Sequence, residues 1–301
     1  MKSFKKKIIY RKVNNKDLPK VINFLGKYYK KKISNIFYKQ RYFKNYSQSY
    51  ICLCDDKIIG HVGFVRYLLN KNILKKKYIF SRHSSLIHPN FRKFGIFKKL
   101  CLYSIGKIKS NNNNVGFIIW PNDNNFLRFK NNSKINFQNN YLLQLRGNKS
   151  LKKSSIKFRI NHLKLIMTLK NQGIFEKNEN YLKWKYFLKQ DNSKYFINFF
   201  ESNDKIESIL IYDFNQKKHL RVLDFFGQKK NYIRHINDLL YYNKYIIFFH
   251  NLYSRKNFTM KKKYQTIAYF FSKKVKKIFL KKKNLLTLGD TDTFINYEKI
   301  K

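Results

Sequence analysis

Short runs of apolar and β-branched residues alternate with helical spacings along the first half of the chain. Residues 8–13 predict a strand. Asp17-Leu18-Pro19 then opens a helix, with Asp17 as N-cap and a proline in the first turn. Val21, Ile22, Leu25 and Tyr28 give that helix its apolar face. A second helical stretch covers residues 35–44. Residues 49–54 and 58–68 read as two strands of a hairpin turning at Asp55-Asp56-Lys57. Residues 78–87 form the next strand. The helix that follows, over residues 97–108, puts Phe97, Leu100, Cys101, Ser104, Ile105 and Ile108 on one face and Lys98, Lys99, Lys107 and Lys109 on the other. Residues 115–120 predict a buried strand that stops at Pro121-Asn122. A short helix at 123–130 and strands near 135 and at 141–146 complete the first half.

Residues 148–155, polar and basic, read as a linker between a domain at 1–147 and a second at 156–301. The second half echoes the first. It has a helix at 181–186, a hairpin around Ser202-Asn203-Asp204, a strand at 219–226, a helix at 231–242 and a strand at 245–249.

The segment between the strand at 78–87 and its following helix carries the most chemistry. It reads His88-Pro89-Asn90-Phe91-Arg92-Lys93-Phe94-Gly95-Ile96-Phe97. Unpartnered amides in a first helical turn, reinforced by the helix dipole, attract a phosphate. Gly95 permits a tight turn. The plain alternative is an ordinary strand-to-helix connection with a surface arginine. Arg92-x-x-Gly95-x-Phe97 resembles the acyl-CoA pyrophosphate loop of the GNAT N-acetyltransferases, written R/Q-x-x-G-x-G/A, with Phe97 in place of the last small residue. The element order over residues 5–147 is similar to the GNAT order too. The second half resembles a further GNAT-like domain, degenerate because Lys229-Lys230 stands where an Arg-x-x-Gly would be needed.

The resemblance implies an α/β (α+β) GNAT fold, with a mixed, mostly antiparallel sheet flanked by helices and two such domains in tandem. It implies acetyl-CoA or another acyl-CoA as co-substrate. The backbone of Leu86 and Ile87 would hold the pantetheine. Arg92, Lys93, Phe94, Gly95, Ile96 and Phe97 would surround the pyrophosphate, and Asn124 would contact the cofactor at its thioester. Arg92-x-x-Gly95-Ile96-Phe97 with Pro121-Asn122-x-Asn124 is closest within the family to bacterial enzymes of surface-polysaccharide and sugar biosynthesis. An amino-sugar, free or nucleotide-linked, is therefore the expected acceptor.

Amide formation from a thioester needs a base for the ammonium and help for the leaving thiolate. His83, on the strand that carries the thioester, is the candidate base; its plain reading is a hydrogen-bonded core histidine. Asn122 is the candidate donor at the thioester. His61, Asp290 and Asp292 are candidate acceptor contacts. The tyrosine acid common in the family has no counterpart between Tyr103 and Tyr141. A non-catalytic ligand-binding GNAT-like protein thus stands as one alternative.

Composition changes this picture little. Hydrophobic residues make up 43%, with 29 Phe and 23 Tyr, which is enough for a core. The net charge of +50 admits a second alternative, an RNA-associated basic protein. Its lysines, however, are spread along the chain together with Asn, Ile, Phe and Tyr, as in AT-rich coding sequences, so no specific nucleic acid is expected. No run is apolar enough for a membrane span. Cys52, Cys54 and Cys101 read as reduced core thiols of a cytoplasmic protein, and no metal site is expected.

Overall fold

The computed structural model describes residues 7–30, 33–39, 42, 47–71, 74–119, 136–146, 155–169, 175–187, 194–214, 219–242, 245–250 and 259–275. The chain divides into two compact units. One comprises Met1–Leu68, Lys76–Ile119 and Ala268–Lys277; the other comprises Leu69–Lys75, Trp120–Ile267 and Ile278–Lys301.

The first unit is built on β1 (Ile8–Lys12), β2 (Ser47–Cys54), β3 (Lys57–Leu68), β4 (Tyr78–Ile87) and β5 (Asn114–Ile119), side by side in that order. The first four are antiparallel, and β5 runs parallel to β4. Asp55 and Asp56 turn the β2–β3 hairpin with φ of 48° and 57°. Two consecutive left-handed residues match the twist of a two-residue hairpin, and aspartate tolerates that region better than most residues. β3 is buried almost throughout, because helices cover both faces of the sheet.

On one face lies α3 (Ile96–Lys109), the crossover between β4 and β5. It buries Ile96, Leu100, Ser104 and Ile108 against Cys52, Val62, Phe64, Phe80 and Phe117. Ser104 is tolerated there because its hydroxyl donates to the Leu100 carbonyl at 2.7 Å. Phe97, expected on the apolar face, is 38% exposed, since the stripe begins one residue earlier at Ile96. Cys52 and Cys54 are buried free thiols, and burial pushes the Cys52 thiol up to about 12. Phe271, from the late segment that joins this unit, donates its N–H to Val115 O and packs its ring on Phe117.

The other face is covered by α1 (Leu18–Tyr29) and α2 (Asn35–Tyr38). Val21, Leu25 and Tyr38 pack on Ile51, Leu53 and Leu86. Asp17 does not cap α1 with its side chain. A 3₁₀ turn at Asn15–Asp17 precedes the helix, capped by Asn14, and the Asp17 carboxylate accepts from the Asn14 N–H and the Arg11 guanidinium. The reciprocal capping box satisfies the orphan amides one turn earlier than the Asp-x-Pro spelling suggests.

The second unit repeats the plan. β8 (Phe196–Ser202) and β9 (Lys205–Phe214) form a hairpin, with Asn203 and Asp204 again left-handed at φ 51° and 57°. β10 (Leu220–Gly227) pairs with β9, and the helix Lys229–Tyr242 (α6) leads to β11 (Tyr245–His250), parallel to β10. Tyr232, Ile236 and Leu239 of α6 pack on Leu210, Val222 and Phe225. β7 (Ile156–Lys157) edges β8, while α4 (His162–Thr168) and α5 (Glu179–Leu182) precede the hairpin. β6 (Asn136–Arg146) runs antiparallel to β11, with β12 (Thr259–Phe270) next to it. The strand pattern at 141–146, read from sequence with the first half, thus pairs inside the second unit. β12, β7 and α4 were not read from the sequence. No helix among the described residues is long and apolar enough to cross a membrane.

Candidate active site

The β4–β5 ladder covers Tyr78 to Ser81, opposite Asn114 to Ile118. Beyond Ser81, β4 continues to Ile87 with no further β5 partner among the described residues. Within this extension β4 carries a bulge. Gly63 faces His83 and His61 faces Leu86, so β4 holds one residue more than β3 over that interval. Ser84 takes up the extra length with φ 46°, a left-handed conformation that strains a residue with a Cβ. A parted pair of parallel strands with a bulge at the opening leaves backbone donors and acceptors of β4 outside the sheet ladder.

Side chains from both helices of the α1/α2 face reach this bulge. His61 is wholly buried, with Nδ1 2.9 Å from the Ser84 carbonyl and Nε2 2.9 Å from the Tyr38 hydroxyl. A carbonyl only accepts, so Nδ1 carries the proton and Nε2 accepts from Tyr38. Burial drives the ring down to about 4, against the Ser84 hydrogen bond, so the imidazole is neutral at pH 7. Tyr38 Oη also lies 2.9 Å from Ser49 Oγ, whose single proton serves either Tyr38 or the Tyr42 carbonyl 3.0 Å away. His83 is 8% exposed. It pairs with Gly63, over which the Tyr42 ring lies, so His83 shares that face. Tyr29, at the end of α1, places its hydroxyl 3.5 Å from both Ser84 Oγ and Ser85 O. Burial raises its pKa, which keeps the phenol protonated at neutral pH.

At the end of β4 the chain forms a compact turn that leads into α3. His88 caps a 3₁₀ turn at Pro89–Phe91, accepting from the Asn90 N–H at 3.2 Å, and its ring lies edge-on to Tyr28 and Phe91. Arg92 donates from Nε to Ile87 O at 3.2 Å, which ties the guanidinium to the strand end. Lys93 (φ 73°) and Gly95 (φ 71°) are both left-handed, and α3 begins at Ile96 with no side-chain cap. A Cβ built on Gly95 would meet nothing within 4 Å. The first amides of α3 thus lack a side-chain cap, and Arg92, Lys93, Lys98 and Lys99 around them are exposed. These groups fit a diphosphate: positive field, backbone donors, and a glycine where a side chain would intrude. Phe97 packs under the Arg82 guanidinium, 5.3 Å from its ring centre, on the α3 face.

The second unit has a matching bulge but a closed site. Val222 faces Tyr212 and Asp224 faces Ile211, which leaves Leu223 as the extra residue. Asp224 is wholly buried and takes Lys177 Nζ at 2.5 Å, Lys185 Nζ at 2.8 Å and the Tyr186 hydroxyl. Burial pushes its carboxyl up, but the two ammonium groups outweigh that and hold it well below the usual carboxylate range. At the start of α6, Asn231 donates to Glu207 Oε2 at 3.0 Å, so a carboxylate of the protein already sits beside that turn. A Cβ on Gly227 would lie 2.4 Å from Ser208 Cβ.

The structure thus brings His61, His83, Leu86, Ile87 and residues 92–97 to one end of β4. Asn122, Asn124, Asp290 and Asp292 lie outside the described residues. Sequence reading missed Tyr29, Tyr38 and the bulge at Ser84. Tyr29 could have been sought as an aromatic at the open end of α1. The other two had no signal, because a bulge and a buried hydroxyl chain leave no spacing in the sequence.

No protein-family model matches the sequence, and no curated protein matches it. Solved structures match across most of the chain. A probable N-acyltransferase from Enterococcus faecalis aligns with a TM-score of 0.64 at 10% identity, over 87% of this chain and 72% of that one. A GCN5-related N-acetyltransferase from Anabaena variabilis gives 0.62 at 10% identity, with the same coverages of 87% and 72%. A tandem GNAT protein from the clavulanic acid biosynthesis pathway gives 0.52 at 6% identity, over 88% of this chain and 98% of that one. At such identities the likeness is one of fold: the chain has the GNAT fold, as two GNAT-like units in tandem.

Proposed function

We propose that the protein is an acyl-CoA-dependent N-acyltransferase whose first unit holds the cofactor. The observation that carries this reading is the conjunction of the parted β4–β5 pair, its bulge at Ser84, and the open seat at Gly95–Ile96. Arg92, Lys93 and the amides of residues 94–97 would hold the diphosphate, and the backbone of Leu86 and Ile87 the pantetheine. Acetyl-CoA would supply an activated thioester.

The amine attacks the thioester carbonyl directly. A C–N bond forms and the C–S bond breaks; one ammonium proton passes to His83 before attack, the thiolate takes a proton from Tyr29, and the second proton shed by the nitrogen returns to the Tyr29 phenolate. Tyr29 in this role replaces the tyrosine acid that the stretch between Tyr103 and Tyr141 does not supply. The second unit holds no cofactor in this reading. Its own acyl position is filled by the Asp224 cluster, and its anion position lies beside Glu207.

The acceptor we infer is an amino-sugar, most suitably nucleotide-linked, in surface-polysaccharide synthesis. Support comes from the Arg92-x-x-Gly95-Ile96-Phe97 spelling and from the charge of +50, which steers a nucleotide diphosphate in a salt-dependent way. The test offers acetyl-CoA with nucleotide-linked amino-sugars, polyamines, aminoacyl compounds and basic peptides, and follows release of the CoA thiol. Turnover with the sugars alone supports the reading. Turnover only with peptides or polyamines overturns the acceptor, and binding of acetyl-CoA with no turnover on any amine overturns the enzyme.

A further inference from the structure

His61 is too enclosed to meet a substrate, yet it donates to the one residue that strains the extended end of β4. The Ser84 carbonyl, turned out of the β3 ladder by the bulge, finds its donor in His61 Nδ1 at 2.9 Å. A left-handed serine persists only where its surroundings over-determine it. Here the surroundings are the His61 ring, which donates to Ser84 O from one nitrogen and accepts from Tyr38 on the other, with Ser49 against the Tyr38 hydroxyl. We infer that His61 is a positioning residue, which pins the β4 bulge in the conformation that presents its backbone to the acyl thioester. The thioester part of this inference rests on the function proposed above; the pin itself does not.

Amide isosteres separate the two ring nitrogens. In His61→Asn the side-chain nitrogen falls near the Nδ1 position and keeps a donor for Ser84 O. In His61→Gln the amide falls near Nε2, keeps a partner for Tyr38 and leaves Ser84 O without its donor. Ser84→Gly removes the strain that the pin opposes, because glycine takes positive φ freely.

The experiment measures Kd for acetyl-CoA by calorimetry, kcat and KM, and thermal unfolding, for the full-length chain and the variants His61→Gln, His61→Asn, Ser84→Gly and His61→Gln/Ser84→Gly. For a pin, His61→Gln raises the acetyl-CoA Kd and KM by about tenfold, the worth of one lost hydrogen bond. Ser84→Gly added to it, and His61→Asn in its place, each recover most of that loss. Equal losses in His61→Gln and His61→Asn with no recovery by Ser84→Gly would overturn the inference, and would make the ring a proton carrier. If the unaltered protein binds no acetyl-CoA, the functional reading fails. The unfolding data then still decide the pin: stability effects at 61 and 84 that simply add sink it, and coupled effects sustain it.

Discussion

Gly95, the residue before α3, and Gly227, the last residue of β10, both have positive φ, 71° and 120°. A Cβ on Gly95 would touch nothing within 4 Å, whereas one on Gly227 would overlap Ser208. The first glycine has open space at a helix start, and the second lies tight against the neighbouring strand. Gly95→Ala should therefore cost only the left-handed penalty, about 1–2 kcal/mol. Gly227→Ala adds a clash with strand backbone and should cost about 3 kcal/mol or more. Urea unfolding of the two variants checks this; equal costs would mean that Gly95 has no open space beside it.

Acetyl-CoA at about 100 times its Kd should stabilise the unaltered protein by about 2.7 kcal/mol, the linkage value for a ligand that binds only the folded state. Gly95→Glu places both bulk and negative charge in the seat and should erase the shift in a thermal melt. A shift that survives in this variant would put the diphosphate elsewhere.

Stability should fall on acidification through His61. Its folded pKa, about 4, lies below the ordinary 6.5, so the unfolded chain binds the proton first. The contribution is whole above pH 6.5 and is lost as pH falls toward 4, to a total of roughly 3 kcal/mol. His61→Asn should lack this part of the slope. Unfolding free energies of the two proteins from pH 7 to pH 4 give the difference, and parallel curves would contradict a buried neutral ring.

Removing the Asp224 carboxylate should be severe. Asp224→Asn leaves Lys177 and Lys185 buried without their shared anion, at about 3–5 kcal/mol. Because the folded pKa of Asp224 is depressed, its contribution is present above the ordinary carboxylate range and is lost as pH falls below it. The variant should thus show both lower stability at pH 7 and a shallower acid limb. A loss under 1 kcal/mol would show that the lysines find other anions.

Much of the fold was legible in the sequence. β4 and the two hairpins appear where β-branched runs meet Asp-Asp and Asn-Asp turns, since those signals depend only on local backbone preference. The Arg92-x-x-Gly95 loop was legible for the same reason: glycine at positive φ and an uncapped helix start are local properties. Pairing between distant segments was not legible. The pattern at 141–146 marks a strand, but joining β11 instead of the first unit is a non-local choice. β12 gave no usable signal. The same holds at the site. His61, His83 and Tyr29 are single residues far apart in the chain, and nothing in their spacing says that His61 is sealed or that Tyr29 reaches β4. Those facts depend on one extra residue in β4, which left Ser84 to be held by a histidine from the neighbouring strand. Local chemistry determined the elements and the loop, and long-range packing alone decided which side chains meet at the end of β4.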